Sequence, residues 1–333
     1  MKIGIIGPPK SGKTAIFNIL LQGNASGNIG VFRSSDQRLE NLSKIFASKK
    51  VTYPELAFVD IGPDAIFNRK ALSGLQDIDL FICVIDAFFN EDPKKAFEGF
   101  LTDIMLSDLE AIQNRIDRLQ KEKSRGSEQE SKVLEKCCAS ISDGRLLYKA
   151  DLDADEKKQL SGLMLLSLKP LILAINISEH VPGDMEVKIR LLEEYCASKD
   201  IRCIRFFGKI GLELIELEQK EREGFLKEMG AGYNIREDIS RLIFRELDLI
   251  TFFTAGEKES RGWYLKSGLS VLEAAGKIHS DIKRGFIRAE VVSYDDFIKF
   301  GSMHKAKERG ALRLEGKEYV VKEGDIINIR FSV

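Results

Sequence analysis

The sequence predicts an α/β fold: a doubly wound, mainly parallel sheet carrying an inserted helical hairpin, followed by a separate C-terminal α+β domain. Three observations predict it. Apolar runs of strand length alternate with stretches of helical periodicity before residue 104 and again after residue 166, the pattern of successive βαβ units. A Gly-rich turn joins the first of these runs to the first helix. From about residue 249 the texture changes to short strands around one clear helix start.

The elements follow in order. KIGIIG (2–7) is apolar throughout, as a central parallel strand is. Ile16, Phe17, Ile19 and Leu20 then recur at helical spacing until Gly23 stops the helix. LAFVD (56–60), LFICVID (80–86), LILAIN (171–176) and CIRFF (203–207) are further buried strands, and DQRLENLSKIF is an intervening helix. The spacing of Leu109, Ile112, Ile116 and Leu119, resumed by Leu134, Cys137 and Ile141 after SRGSEQES, predicts a helical hairpin. The alternative is two ordinary surface helices. In the tail, LITFF, GFIRAEVV, YVV and IINIRFSV are strands, Ser270-x-x-Glu273 is a capping box opening VLEAAGKIH, and KEGD turns YVV into IINIRF as a hairpin. The expected domains are 1–103 with 167–248, the hairpin 104–166, and a small domain 249–333 of a size that can fold alone.

Composition narrows the function. With 333 residues, 44% hydrophobic and 31% charged, the chain can bury a substantial core. A net charge of −1 provides no global field toward DNA, RNA or anionic lipid. The opening MKIGIIGPP has too short an apolar run for a signal peptide, and no stretch approaches a membrane span. Five cysteines without C-x-x-C spacing suggest reduced thiols in a cytoplasmic protein, and three isolated histidines form no zinc-ligand spacing.

The chemistry starts at GPPKSGKT (7–14), which fits G-x-x-x-x-G-K-[ST] between a buried strand and a helix. This is a P-loop, and its context predicts nucleoside triphosphate binding. Gly7 and Gly12 permit the turn, and the backbone N–H groups of Ser11, Gly12, Lys13 and Thr14 would surround the β-phosphate. Lys10 and Ala15 complete the candidate nucleotide-binding stretch. Lys13 would bridge the β- and γ-phosphates as the catalytic cation, and the Thr14 hydroxyl would ligate Mg²⁺. Asp60 ends its strand where such a site keeps the carboxylate that holds Mg²⁺ through water, although Asp at a strand end is also a common turn residue.

With these features and the tail together, the chain resembles the YchF family of Obg-like P-loop ATPases. TFFTAGEKESRGWYLKSG (251–268), AAGKIHSDIKRGFIRAEVVSYDDFI (274–298) and RLEGKEYVVKEGDIINIRF (313–331) carry the likeness in the tail, and SDQRLENLSKIF and ELAFVDIG carry it nearer the N-terminus. The resemblance implies a ubiquitin-like TGS domain at the C-terminus and ribosome or RNA contacts through the hairpin and that domain. It also implies slow Mg²⁺-dependent ATP hydrolysis. The family replaces the guanine-reading Asn-Lys-x-Asp by Asn-x-x-Glu, which AINISE satisfies through Asn176 and Glu179, with Ile177 between them as a further candidate nucleotide contact. The physics agrees: adenine presents one amino donor beside two acceptors, so an acceptor-only carboxylate cannot pair with it twice, whereas an Asn amide both donates and accepts. ATP and ADP are the expected ligands, with GTP the lesser alternative and a nucleotide-binding module without turnover the third.

Two departures from the family stand out. Residues 22–38 hold no threonine for the first switch, leaving Ser34 or Ser35 as substitutes. Pro63 stands three after Asp60, where a backbone N–H would meet the γ-phosphate, and proline has none.

Overall fold

A computed structural model describes residues 1–22, 25–62, 66, 77–122, 127–218, 221, 224 and 234–332. The first elements are β1 (Lys2–Ile6), α1 (Lys13–Leu21), β2 (Ala25–Ser26), β3 (Ile29–Arg33), α2 (Gln37–Ile45), β4 (Val51–Thr52), β5 (Glu55–Asp60) and β6 (Leu80–Asp86). Next come α3 (Pro93–Glu122), α4 (Ser127–Ser142), α5 (Ala154–Leu160), β7 (Leu171–Asn176), α6 (Gly183–Ser198), β8 (Arg202–Phe206), α7 (Gly208–Glu216) and α8 (Ile235–Glu246). The last stretch holds β9 (Leu249–Ala255), β10 (Ser260–Lys266), α9 (Val271–Ile278), α10 (Ser280–Arg284), β11 (Phe286–Ser293), α11 (Tyr294–Phe300), α12 (Met303–Glu308), β12 (Arg313–Glu315) and β13 (Asp325–Phe331). Two compact units result: residues 2–31 with 57–242, and residues 32–56 with 243 onward.

The first unit is built on a sheet of order β2-β3-β5-β1-β6-β7-β8, whose β5, β1, β6, β7 and β8 are parallel. Helices cover both faces, so the expected doubly wound α/β sheet is present. On one face Ile6, Phe81, Cys83 and Ile85 pack with Phe97, Phe100 and Leu101 of α3 and with Ile189, Leu192 and Cys196 of α6. Ile3 and Ile5 point the other way and are fully buried, and α1 packs on β1 and on α7 there. The parallel register sets Ile5 beside Asp60 and Asp86 beside Asn176, so these polar strand ends share one edge of the sheet.

The hairpin grows out of this unit rather than beginning at residue 104. Helix α3 is continuous over 30 residues, about 45 Å at 1.5 Å per residue. Its N-terminal half belongs to the sheet's core, while Ala111, Ile112 and Leu119 pack with Leu134, Cys137 and Ile141 of α4 in a second core. The seam read from the sequence is therefore present. Arg115 clasps Glu130 across it with two hydrogen bonds of 2.7 and 2.9 Å. At the root, the buried Asp108 accepts from the N–H groups of Leu166 and Ser167, both at 2.8 Å, and from the Ser167 hydroxyl at 2.6 Å.

The second unit carries a sheet of order β12-β11-β13-β9-β10-β4 with a core on each face. On one, Val271 and Ala274 of α9 pack with Phe252, Leu265, Ala289, Val291 and Ile327. Ser270 caps α9, its hydroxyl accepting from the Glu273 N–H at 3.4 Å. On the other, Leu39 and Leu42 of α2 join Phe253, Val292, Phe297, Ala306 and Ile326. Residues 32–56, expected in the nucleotide domain, thus fold with the C-terminal residues, because α2 turns its apolar stripe to that sheet. Arg38 bridges Asp36 and Glu323 and lies over the Phe253 ring, Asn41 donates to the Tyr294 hydroxyl at 2.9 Å, and β4 adds in parallel to β10. The expected YVV/IINIRF hairpin is absent. Val320 makes an isolated bridge to Ser270, and β13 pairs instead with β11 and β9, because KEGD is held as a turn by the Asp325 carboxylate and by Gly324 donating to Thr251.

One consequence is testable. Leu42 is fully buried, so Leu42→Ala is expected to destabilise the C-terminal unit by about 2–5 kcal/mol, measured by denaturant unfolding. A loss below about 0.5 kcal/mol, the range of an exposed site, would contradict the shared core.

Candidate functional site

Residues 7–12 link β1 to α1 at the edge where Asp60, Asp86 and Asn176 end their strands. Two glycines are demanded by geometry. Gly7 has φ +142°, and a Cβ there would lie 2.3 Å from the Val84 carbonyl oxygen. Gly12 caps α1 at φ +100°, and its Cβ would lie 2.5 Å from Asn176 Nδ2. The first turn of α1 carries no acidic side chain, so its N-terminal partial positive charge is left for an external anion.

Lys13 is 7% exposed, and its Nζ donates to the carbonyls of Gly7 (3.0 Å) and Pro8 (2.7 Å). Burial lowers its pKa, and the Asp60 charge opposes that shift. The Ser11 hydroxyl is 2% exposed and has no hydrogen-bond partner among the described residues. A buried ammonium that donates to loop carbonyls and a buried hydroxyl without a partner among the described residues fit an anion with several acceptor oxygens.

The Thr14 hydroxyl donates to Asp60 Oδ2 at 2.7 Å. Asn28 reaches the same point: its carbonyl accepts from the Asp60 N–H at 2.9 Å, and its side chain donates to the Asp60 carbonyl at 3.4 Å. A cleft of about 640 Å³ is lined by Lys10, Ser11, Lys13, Thr14, Asn28 and Asp60 among others. A hydroxyl beside a carboxylate is the donor set of a hydrated Mg²⁺ shared with phosphates. Among the described residues no group of three or more His, Cys, Asp or Glu offers an all-protein metal site. The Thr14 hydroxyl and the Asp60 carboxylate are nevertheless oxygen donors suited to such an ion.

Asn176 is the keystone between two loops. Its Nδ2 donates to the Ser11 carbonyl at 3.3 Å, and its Oδ1 accepts from the Gly208 N–H at 3.0 Å. Among the described residues one amide N–H and one oxygen lone pair of Asn176 stay without a partner. Ile177 turns into the core and pairs its N–H with Phe206, whereas Glu179 is exposed. The structure thus gathers Gly7, Lys10, Ser11, Gly12, Lys13, Thr14, Asp60 and Asn176, with Ala15 following in α1, and leaves Glu179 outside that hydrogen-bonded cluster. Ser34 bonds the Tyr264 hydroxyl inside the C-terminal unit, so it does not stand in for a switch threonine. Pro63 lies outside the described residues. Asn28 was not singled out from sequence; the polar residue within a threonine-free segment was the only sign of it.

No helix among the described residues is long and apolar enough to cross a membrane. The family model YchF-GTPase_C, described as a protein of unknown function (DUF933), matches residues 249–332. The chain is 34% identical over 361 aligned positions to the "Ribosome-binding ATPase YchF" of Buchnera aphidicola subsp. Schizaphis graminum, covering 100% of this chain and 99% of that one. It is 33% identical to the protein of the same name from Bacillus subtilis, covering 99% of each. The 361 aligned positions exceed the 333 residues present, so this chain is shortened within the aligned region. The solved structure of the Schizosaccharomyces pombe YchF GTPase superposes with a TM-score of 0.83 at 22% identity, covering 99% of this chain and 97% of that one, and shows the common fold. Identity above 30% along both whole sequences, on one shared fold, settles the relationship: the chain belongs to the YchF family.

Proposed function

We propose that this chain is an Mg²⁺-dependent ATP-binding protein that hydrolyses ATP slowly and acts at the ribosome. The observation that carries the reading is the Lys13–Thr14–Asp60 constellation around an orphaned Ser11 hydroxyl. The ribosome enters through the names of the relatives.

On this reading the N–H groups of residues 11–14 hold the β-phosphate, and Lys13 leaves its loop carbonyls to bridge the β- and γ-phosphates. The Thr14 hydroxyl would ligate Mg²⁺ and Asp60 would hold it through water. When bound, that ion would neutralise the charge that develops on the phosphates. Asn176 braces the loop and presents its remaining donor and acceptor to the base edge. Adenine fits this pair, and an exposed Glu179 is poorly placed to clamp guanine. On the C-terminal unit the exposed Lys305, Lys307 and Arg309 offer charges to RNA phosphates. Phosphate release with Mg-ATP and Mg-GTP tests the reading. Slow turnover of ATP, faster than that of GTP, is expected; equal rates would remove the adenine preference.

A further inference from the structure

Lys10 stands apart from the other cations of the site. It is exposed, and no described residue hydrogen-bonds to it or pairs with its charge. Its φ is +62°, in the left-handed region that side chains bearing a Cβ rarely adopt. It lines the cleft of Lys13, Thr14 and Asp60, and also an adjoining cleft of about 420 Å³ lined by Pro8, Pro9, Ser11, Asp86 and Phe89. Lys13, by contrast, is buried and tied to the loop. A strained residue whose ammonium makes no hydrogen bond or ion pair among the described residues, on a loop whose interior is suited to phosphate, gives the empty protein no polar contact there. Residues held so are characteristic of ligand clamps and active sites.

Hydrolysis itself shows where a second cation acts. The bond between the γ-phosphorus and the β–γ bridging oxygen breaks, and its electron pair stays on ADP. A water oxygen bonds to phosphorus; one of its hydrogens stays on the inorganic phosphate and the other leaves to solvent. Charge grows on the bridging oxygen and on the equatorial γ-oxygens, and a cation placed there is worth about 10³–10⁵ in rate whether supplied in cis or in trans.

We propose that Lys10 is a catalytic residue of this hydrolysis, its ammonium lying against the γ-phosphoryl group and the bridging oxygen, so that the phosphate loop itself supplies the charge-stabilising cation. The inference rests on the reading of the cleft as an Mg-ATP site. It explains why the loop keeps two lysines with opposite burial: Lys13 holds the ground state, and Lys10 meets the charge that develops.

The experiment compares wild type with Lys10→Ala and Lys10→Arg by fluorescent ADP and ATP binding, by trapping of ADP with aluminium fluoride, and by phosphate release. Lys10→Ala should bind ATP and ADP within about threefold of wild type, because an exposed ground-state ion pair contributes little. It should fail to trap ADP–aluminium fluoride, and its turnover should fall at least about tenfold. Lys10→Arg should trap the analogue and keep most turnover. Lys10→Gly removes the ammonium and the backbone strain together, so its thermal midpoint should not fall while trapping is lost. Undiminished trapping or turnover in Lys10→Ala overturns the proposal. Nucleotide binding by wild type without any trapping overturns it as well, leaving the ATP site standing. A wild type that binds neither nucleotide overturns both.

Discussion

Lys13→Ala is expected to weaken Mg-ATP binding by about 10²–10⁴-fold, from two charge-assisted contacts of about 1.5–3 kcal/mol each. The side chain is almost fully buried, yet among the described residues its hydrogen bonds are to the Gly7 and Pro8 carbonyls alone. Burial already pulls its pKa down, so the folded protein gains little from the charge in the empty state. An arriving polyphosphate replaces two neutral acceptors by charged ones, and that exchange is what the variant loses. The fold should survive, since Lys13 lines the cleft and belongs to the loop rather than to the apolar core. Titration with a fluorescent ATP analogue, alongside a thermal melt, checks both halves. Wild-type affinity in a folded variant would refute the site.

The second large effect is expected at Asp108. Its carboxylate is 2% exposed and accepts three hydrogen bonds from residues 166 and 167. Leu166 belongs to the core under the sheet and Leu165 to the core of the hairpin, so this carboxylate ties α3 to the point where the two cores meet. Asp108→Ala strands two buried N–H groups and a hydroxyl and should destabilise the first unit by about 3–5 kcal/mol. Asp108→Asn keeps one acceptor oxygen and should cost less. Denaturant midpoints and amide exchange over residues 160–176 measure it. A change within about 0.5 kcal/mol would mean that the site is no different from an exposed one.

How much of this was legible in the sequence depends on whether the physics is local. The strands β1, β6 and β7 were readable because strands buried on both faces are continuous apolar runs, and β5 and β8 as shorter, only partly buried runs. The phosphate loop was readable because Gly7, Gly12, Lys13 and Thr14 must lie at fixed spacing. The seam of Ile112, Leu119, Leu134 and Cys137 was readable as a periodicity. Its continuity with the sheet's core was not, because α3 passes from one core to the other without a break. Helix α2 makes the same point more sharply. Leu39 and Leu42 announce a buried face, yet nothing local says that the partner is Phe253 or Ile326, more than 200 residues away. The KEGD hairpin misled because a turn and two apolar runs do not reveal that Asp325 closes the turn while β13 pairs elsewhere. Within the site, Asn176 was legible as a residue and not as a brace, since its partners Ser11 and Gly208 meet it only in the fold.

A competition titration tests the central claim most directly: displacement of a fluorescent ATP analogue from the wild-type protein by Mg-ATP and by Mg-GTP, with Lys13→Ala as the blank. A base edge read by hydrogen bonds should discriminate by at least about tenfold, so ATP should displace the analogue at concentrations at least that much lower than GTP, and the blank should show no saturable binding. Equal displacement by the two nucleotides, or unchanged binding in the blank, would contradict the account.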